Sequence, residues 1–244
     1  MLELQAISVA YGDHHIFTNL SATFSTGAVH GIVGSNGAGK TTLFKTLAHA
    51  IPLQNGSITL DGKPLTKRDY ALLEIDPFFY PRITGSEYLR LFQFTNPDFD
   101  GAEWNRIFDL PLDDEINSYS AGMKKKLALL GIIGLKPRLM LLDEPLNSLD
   151  FDTSYILMDT LALLAKHGTT VLVSSHIVEP LLAVCQTITW LAGRDDIRHF
   201  EQNDFPALAQ TLRPLAHDAQ KALVERLLAS SSGRQVDFHS KEGE

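Results

Sequence analysis

Cysteine is almost absent from the chain: Cys185 is the only one in 244 residues. A lone thiol excludes an intramolecular disulfide and gives no cysteine cluster for a metal. It points instead to a reducing compartment and to a small apolar role next to a helix over Val178–Val184. The chain also lacks any stretch close to the roughly 20 apolar residues that span a bilayer. Its opening, Met1-Leu2-Glu3-Leu4-Gln5, has no basic segment leading into an apolar run, so no secretory signal is expected. Positive charge is scarce: 21 Lys and Arg stand against 29 Asp and Glu, for a formal net charge of -8. That balance gives no overall pull towards nucleic acid or an anionic membrane, and no nucleic-acid partner is expected. Work at a membrane would need another polypeptide as anchor.

What is present is a hydrophobic fraction of 44%. Over this length it is enough for one large α/β domain, or one domain with an inserted lobe. Gly34-Ser35-Asn36-Gly37-Ala38-Gly39-Lys40-Thr41 reads G-x-x-x-x-G-K-T and follows a buried-strand pattern, Val29 to Val33. This is a phosphate-binding loop: glycine-freed backbone N–H groups wrap phosphate, Lys40 reaches the outer phosphates, and the Thr41 hydroxyl suits Mg²⁺. Thr42 to Leu47 continue with helical spacing, so the loop opens a helix whose N-terminus favours an anion.

Around this loop the pattern divides. Leu2 to Phe24 alternate in short runs broken at Gly12-Asp13, and Ser57 to Leu60 form another strand before the Asp61-Gly62 turn. These segments predict an antiparallel β lobe. From Tyr88 to Leu135 the period becomes helical, with Tyr88, Leu89, Leu91, Phe92 and Phe94 on one apolar face and Trp104, Ile107 and Phe108 on another. A helical insertion over about 85–136 follows. The apolar runs Leu139–Leu142 and Thr170–Val173 flank a helix over Ser154–Lys166, which predicts a mostly parallel sheet buried on both faces. Beyond Gly193 come a turn, a brief strand, a helical extension over about 204–229 and a polar tail, 230–244, expected to be disordered.

Two further segments carry chemistry. The strand Leu139–Leu142 ends in Asp143-Glu144, at the carboxyl edge where α/β sheets bind ligands. Asp143 can serve Mg²⁺ through water and Glu144 can orient or deprotonate an attacking water; the bland alternative is an acidic strand end capping the next helix. Ser120 is a good N-cap, and Ala121-Gly122 behind it leave a helix N-terminus suited to an anion or simply a capped helix. Lys124, Lys125 and Lys126 are equally well read as a solvated face, and they are not assigned to phosphate.

Taken in order, the phosphate loop, Tyr119-Ser120-Ala121-Gly122-Met123, Asp143-Glu144, Asn147-Ser148-Leu149-Asp150 and Ser174-Ser175-His176 resemble the ATP-binding cassette (ABC) ATPase family. The resemblance covers Met1 to Gly193 and implies a P-loop NTPase core acting on ATP with Mg²⁺. It implies that Tyr11 stacks on adenine and that Gly34, Ser35, Asn36, Gly37, Ala38, Gly39, Lys40, Thr41 and Thr42 bind the phosphates. Thr41 and, through water, Asp143 would hold Mg²⁺; Glu144 would be the catalytic carboxylate and His176 the histidine at the γ-phosphate. Ser120, Ala121 and Gly122 would close on ATP held by a second cassette, head to tail, with Asp150 in the segment crossing that interface.

The same resemblance implies a separate transmembrane permease partner and a peripheral place on the cytoplasmic face of a membrane. The Tyr-Ser-Ala-Gly-Met signature is similar to those of exporter-type cassettes. Two departures stand out: Ala121 and Met123 replace the usual glycine and glutamine, and the stretch Leu73 to Pro81 lacks the family's glutamine, so that either Glu74 or Asp76 serves in its place or the contact is lost. Phe78, Phe79 and Tyr80 form either a docking patch for a short helix of a membrane subunit or internal packing. Two rivals remain open at this point: a soluble cassette driving a cytosolic assembly, and a regulatory cassette that binds ATP with little hydrolysis.

Overall fold

The computed structural model describes residues 1–193, 196–211 and 225–226. The chain divides into two compact units, Met1–Gln202 and Asn203–Glu244. In the second, residues 205–211 are helical. The greater part of the expected extension over 204–229, and the whole 230–244 tail, lie outside the described residues.

The first unit is built on two sheets. In the smaller, β1 (Leu2–Tyr11) pairs with β2 (His14–Phe24) and with β4 (Asn55–Leu60), and β5 (Lys63–Pro64) completes the order β2-β1-β4-β5. Every pairing in it is antiparallel, with Leu2, Leu4, Ile7, Phe17 and Phe24 turned inward. Alternation of period two follows from half-burial of the pleat, and it is why this lobe was legible from its pattern.

The larger sheet has six strands in the order β10-β9-β3-β8-β7-β6. Its members are β3 (Val29–Val33), β6 (Tyr70–Leu73), β7 (Leu139–Leu142), β8 (Thr170–Ser175), β9 (Thr187–Leu191) and β10 (Ile197–Glu201). β10 runs antiparallel to β9, and the other pairings are parallel. β3, β7 and β8 are buried along their whole length, as continuous apolar runs in a parallel sheet require. Between the two sheets lies α1 (Lys40–Leu47), whose Leu43, Phe44 and Leu47 share a core with Leu4, Phe17 and Phe24 of one sheet and Ile32, Leu141 and Leu172 of the other. The fold is therefore α/β, with the antiparallel lobe distinct from the parallel core.

The expected helical segment resolves into α2 (Gly85–Gln93), the short α3 (Gly101–Asn105) and α4 (Ala121–Gly134). Thr84 starts α2 with a capping box shared with Glu87. One expectation fails here. Leu89 is buried, and Tyr88 and Phe92 crowd against Gly131 of α4, but Leu91 is 47% and Phe94 88% exposed. At 100° per residue, Leu91 and Phe94 fall on the side of α2 away from Leu89, so five apolar residues do not make one face. After β7, α5 (Phe151–Lys166) begins three residues earlier than its apolar spacing predicts, because Asp150 caps it through the Thr153 N–H. The helix before Cys185 is only α6 (Glu179–Leu182), and burial pushes that thiol up to about 12.

β3 also carries a fully buried histidine. Its Nε2–H donates to the Ser25 carbonyl at 2.9 Å, and Nδ1 accepts from the Thr187 hydroxyl at 2.8 Å, so the neutral ring of His30 is fully bonded. Burial holds its pKa below the ordinary value, opposed by the Ser25 bond and the charge of Glu201. Above about pH 6.5 folded and unfolded chains both carry neutral histidine here, and the shift contributes nothing. As the pH falls below that value the unfolded chain takes a proton that the native state declines, so stability drops until the lower native pKa is reached. Melting curves from about pH 7 to 5.5 should show a steeper decline for the native chain than for His30→Gln; parallel slopes would refute this.

Candidate functional site: a phosphate loop against a carboxylate pair

Parallel register brings the functional strand ends to one edge. Val33 pairs with Ser175, Leu142 with Val173 and Leu73 with Leu142, so the segments after β3, β6, β7 and β8 leave the sheet together. Those segments are the phosphate loop, Glu74–Asp76, Asp143-Glu144 and His176. Such an edge is where open parallel sheets bind ligands.

Within the loop, the Ala38 N–H closes a turn on the Ser35 carbonyl at 3.1 Å. Gly39 then opens α1 with φ 100°, a left-handed conformation, and a Cβ there would lie 2.8 Å from the Phe17 ring. Only glycine fits both conditions. No side chain caps α1 and no acidic residue occupies its first turn, so its first amides and positive dipole end face the loop uncompensated. Lys40, although a cation, is 6% exposed. Its Nζ donates to the Gly34 carbonyl at 2.8 Å and the Ser35 carbonyl at 3.3 Å, and pairs with Glu144 Oε1 at 3.2 Å.

Glu144 is held from four directions. The other carboxylate oxygen, Oε2, accepts from His176 Nδ1 at 3.0 Å, which leaves the His176 Nε2 as the free ring nitrogen. The Glu144 N–H donates to Ser174 Oγ at 2.8 Å, and that hydroxyl donates in turn to Asp143 Oδ1 at 2.6 Å. The Glu144 carbonyl accepts from Lys125 Nζ at 3.0 Å and from the Asn147 N–H at 3.3 Å. Its φ of 49° is a left-handed value that a glutamate adopts rarely. Both Asp143 and Glu144 are buried, at 2% and 5% exposure, so every one of these bonds acts in a poorly screened environment.

Thr41 and Asp143 line one cavity of about 280 Å³, together with Lys45, Glu74, Ile75 and Asp76. A hydroxyl and a carboxylate there are hard oxygen donors of the kind Mg²⁺ takes. Among the described residues no group of three or more His, Cys, Asp or Glu side chains is arranged as a metal cage.

Other expected residues stand outside this cluster. Tyr11 ends β1 opposite His14 and is 52% exposed, while its hairpin neighbours Ile16 and Phe17 come within contact of the Gly39 position. Ser120 caps α4 by accepting from the Met123 N–H at 3.2 Å; it and Ala121 are exposed. Gly122 packs so closely on the segment before α5 that a Cβ would sit 2.5 Å from the Ser148 carbonyl. Asp150 accepts from the Thr153 N–H and hydroxyl, which holds its carboxyl down to about 2. The three lysines do not form a solvated face: Lys125 is 3% exposed and turned to Glu144, whereas Lys126 lies 3.6 Å from Asp150. The signal was available, since Lys125, Leu129 and Ile132 follow the i, i+4, i+7 spacing of a buried helical face.

A family model described as ABC transporter matches residues 17–147, more than half of the chain. The chain belongs to this family. Among curated relatives, the ABC transporter ATP-binding protein YtrB of Bacillus subtilis is 29% identical over 203 residues, covering 78% of this chain and 68% of its own. NatA of the same organism, also an ABC transporter ATP-binding protein, is 31% identical over 189 residues, covering 70% and 75%. A solved structure described as the ATP-binding subunit of an ABC transporter superposes with a TM-score of 0.77 at 24% identity, over 86% of this chain and 93% of that one. The ATP-binding cassette MJ0796, solved as a dimer in a post-hydrolysis state with ADP and Pi, gives 0.72 at 20% identity, over 83% and 99%. The last two establish the ABC ATPase fold for this chain, P-loop core included.

Proposed function

We propose that this ABC cassette binds and hydrolyses ATP to ADP and phosphate, and so powers transport through a separate membrane-spanning partner. The observation that carries the reading is the Glu144 carboxylate, fixed between Lys40 of the phosphate loop and the His176 imidazole. Gly34 to Thr42 cradle the phosphates, with Lys40 exchanging its carbonyl and Glu144 partners for the outer phosphate oxygens. The Thr41 hydroxyl and, through water, Asp143 would hold Mg²⁺, which would supply neutralisation of the phosphate charge. Glu144 orients the attacking water and accepts its proton, while His176 donates either its Nδ1–H to the carboxylate or, in the other tautomer, its Nε2–H to the γ-phosphate. Tyr11, at the exposed end of β1, stacks on adenine.

Ser120, Ala121 and Gly122 complete the nucleotide site of a second cassette. Ser120 and Ala121 are exposed at the start of α4, as a composite site requires, while Gly122 packs on Ser148 and keeps the backbone there close to the segment before α5. ATP clamps the dimer and hydrolysis reopens it.

No helix among the described residues is long and apolar enough to cross a membrane. In this reading a separate permease holds the chain at the cytoplasmic face. The surface for that partner is the segment after β6. Phe78 and Tyr80 are 74% and 64% exposed and stack edge to face at 5.4 Å, while Phe79 turns inward onto Tyr88. Exposed aromatics of this kind are suited to anchoring a short helix.

Purification of the tagged chain from detergent-solubilised membranes is the test. A reproducible polytopic partner, lost in Phe78→Ser/Tyr80→Ser, is expected. Recovery only in soluble assemblies would overturn the transport role and favour the cytosolic alternative.

A further inference from the structure

Lys125 is buried, positively charged and part of no step described so far. We infer that Lys125 is a positioning residue for hydrolysis: its ammonium fixes the Glu144 peptide so that the side chain meets Lys40 and His176. The inference rests on the assignment of Glu144 as the carboxylate that acts on water.

Glu144 occupies a left-handed backbone conformation, φ 49°, which a non-glycine residue keeps only where its surroundings hold it. The holding groups bond the peptide on both sides. Ser174 Oγ accepts from the N–H at 2.8 Å, and Lys125 Nζ donates to the carbonyl at 3.0 Å; the Asn147 N–H reaches the same carbonyl less closely, at 3.3 Å. Relaxation of φ by a few tens of degrees would swing the carboxylate off both of its partners.

Position 125 is an expensive place for a cation. It lies at 3% exposure on the face of α4 that continues through Leu129 and Ile132, where an apolar side chain would bury without penalty. Desolvation draws its pKa down, and the carboxylates of Asp76, Glu144 and Asp143 push it back up. The lysine therefore sits among the acids of the site rather than in the apolar core. Because α4 also begins at Ser120, the same side chain ties the signature end of the helix to the carboxylate turn.

The test compares Lys125→Met and Lys125→Ala, which lack a donor, with Lys125→Gln, which keeps an N–H donor without the charge. Steady-state phosphate release by the full chain is measured against Mg-ATP concentration, with Glu144→Gln alongside. The donor-free variants should lose about tenfold in kcat with KM for ATP little changed, and Lys125→Gln should recover most of the loss.

Equal kcat in all three, a loss confined to KM, or failure of both donor-free variants to fold would overturn the inference. Collapse of Glu144→Gln with full kcat in Lys125→Met removes the Lys125 role alone. Wild-type turnover in Glu144→Gln removes the underlying assignment instead.

Discussion

Phosphate release by Glu144→Gln should fall by about 100-fold or more while ATP binding persists, because general-base assistance is typically worth that much. The substitution keeps the shape of the side chain and removes its capacity to take a proton. Lys40 would still have the Gly34 and Ser35 carbonyls as acceptors, at 2.8 and 3.3 Å, so the loop has no cause to rearrange. His176 would meet an amide in place of a carboxylate and adapts by changing tautomer. The loss of turnover therefore falls on kcat, and the carbonyl acceptors left to Lys40 keep the cost in stability below that of stranding the carboxylate. Single-turnover and steady-state measurements both check it; turnover within a few-fold of the native chain would remove Glu144 from the catalytic step and favour a regulatory cassette.

Lys40→Ala should fail twice, in binding and in stability. The ammonium is the group placed to meet the outer phosphates, and its charge-assisted bonds are the strongest kind available there. Its removal also strands the Glu144 carboxylate, 5% exposed, with His176 as its only side-chain partner among the described residues. Breaking a buried pair from one side costs about 3–5 kcal/mol. For a chain of this size that corresponds to a melting temperature lower by roughly 10 °C.

The double variant Lys40→Ala/Glu144→Gln separates the two losses. It should recover most of the stability, because no buried charge is left uncompensated, yet regain no ATP binding. Additive loss in the double variant would show that the pair is not the source of the destabilisation.

Legibility from sequence followed periodicity and local geometry. The β lobe, the parallel core and the phosphate loop were readable because alternation, continuous apolar runs and glycine spacing each reflect a local requirement. Asp143, Glu144 and His176 were read as residues at strand ends and Lys40 as the lysine of the loop after β3, and the register of the parallel sheet brings those strand ends to one edge.

What was not readable depends on rotation and depth. A solvated Lys125 stayed open because a lysine's charge competes with its phase on a helix, although its spacing to Leu129 and Ile132 marked the buried face. Phe94 looked buried because it is aromatic, although its phase on α2 carries it outward. Ser174 was named with its motif but given no role, because a serine in a strand signals nothing until its hydroxyl is seen to link Asp143 to the Glu144 N–H.

The composite-site account is tested most directly by the molar mass of Glu144→Gln in solution with and without Mg-ATP, read by light scattering during gel filtration. One chain is 27.0 kDa. The account predicts a monomer without nucleotide and a mass of twice that value with Mg-ATP, reverting when Ser120 is replaced by a bulky acid. A variant that binds ATP and remains a monomer would contradict it.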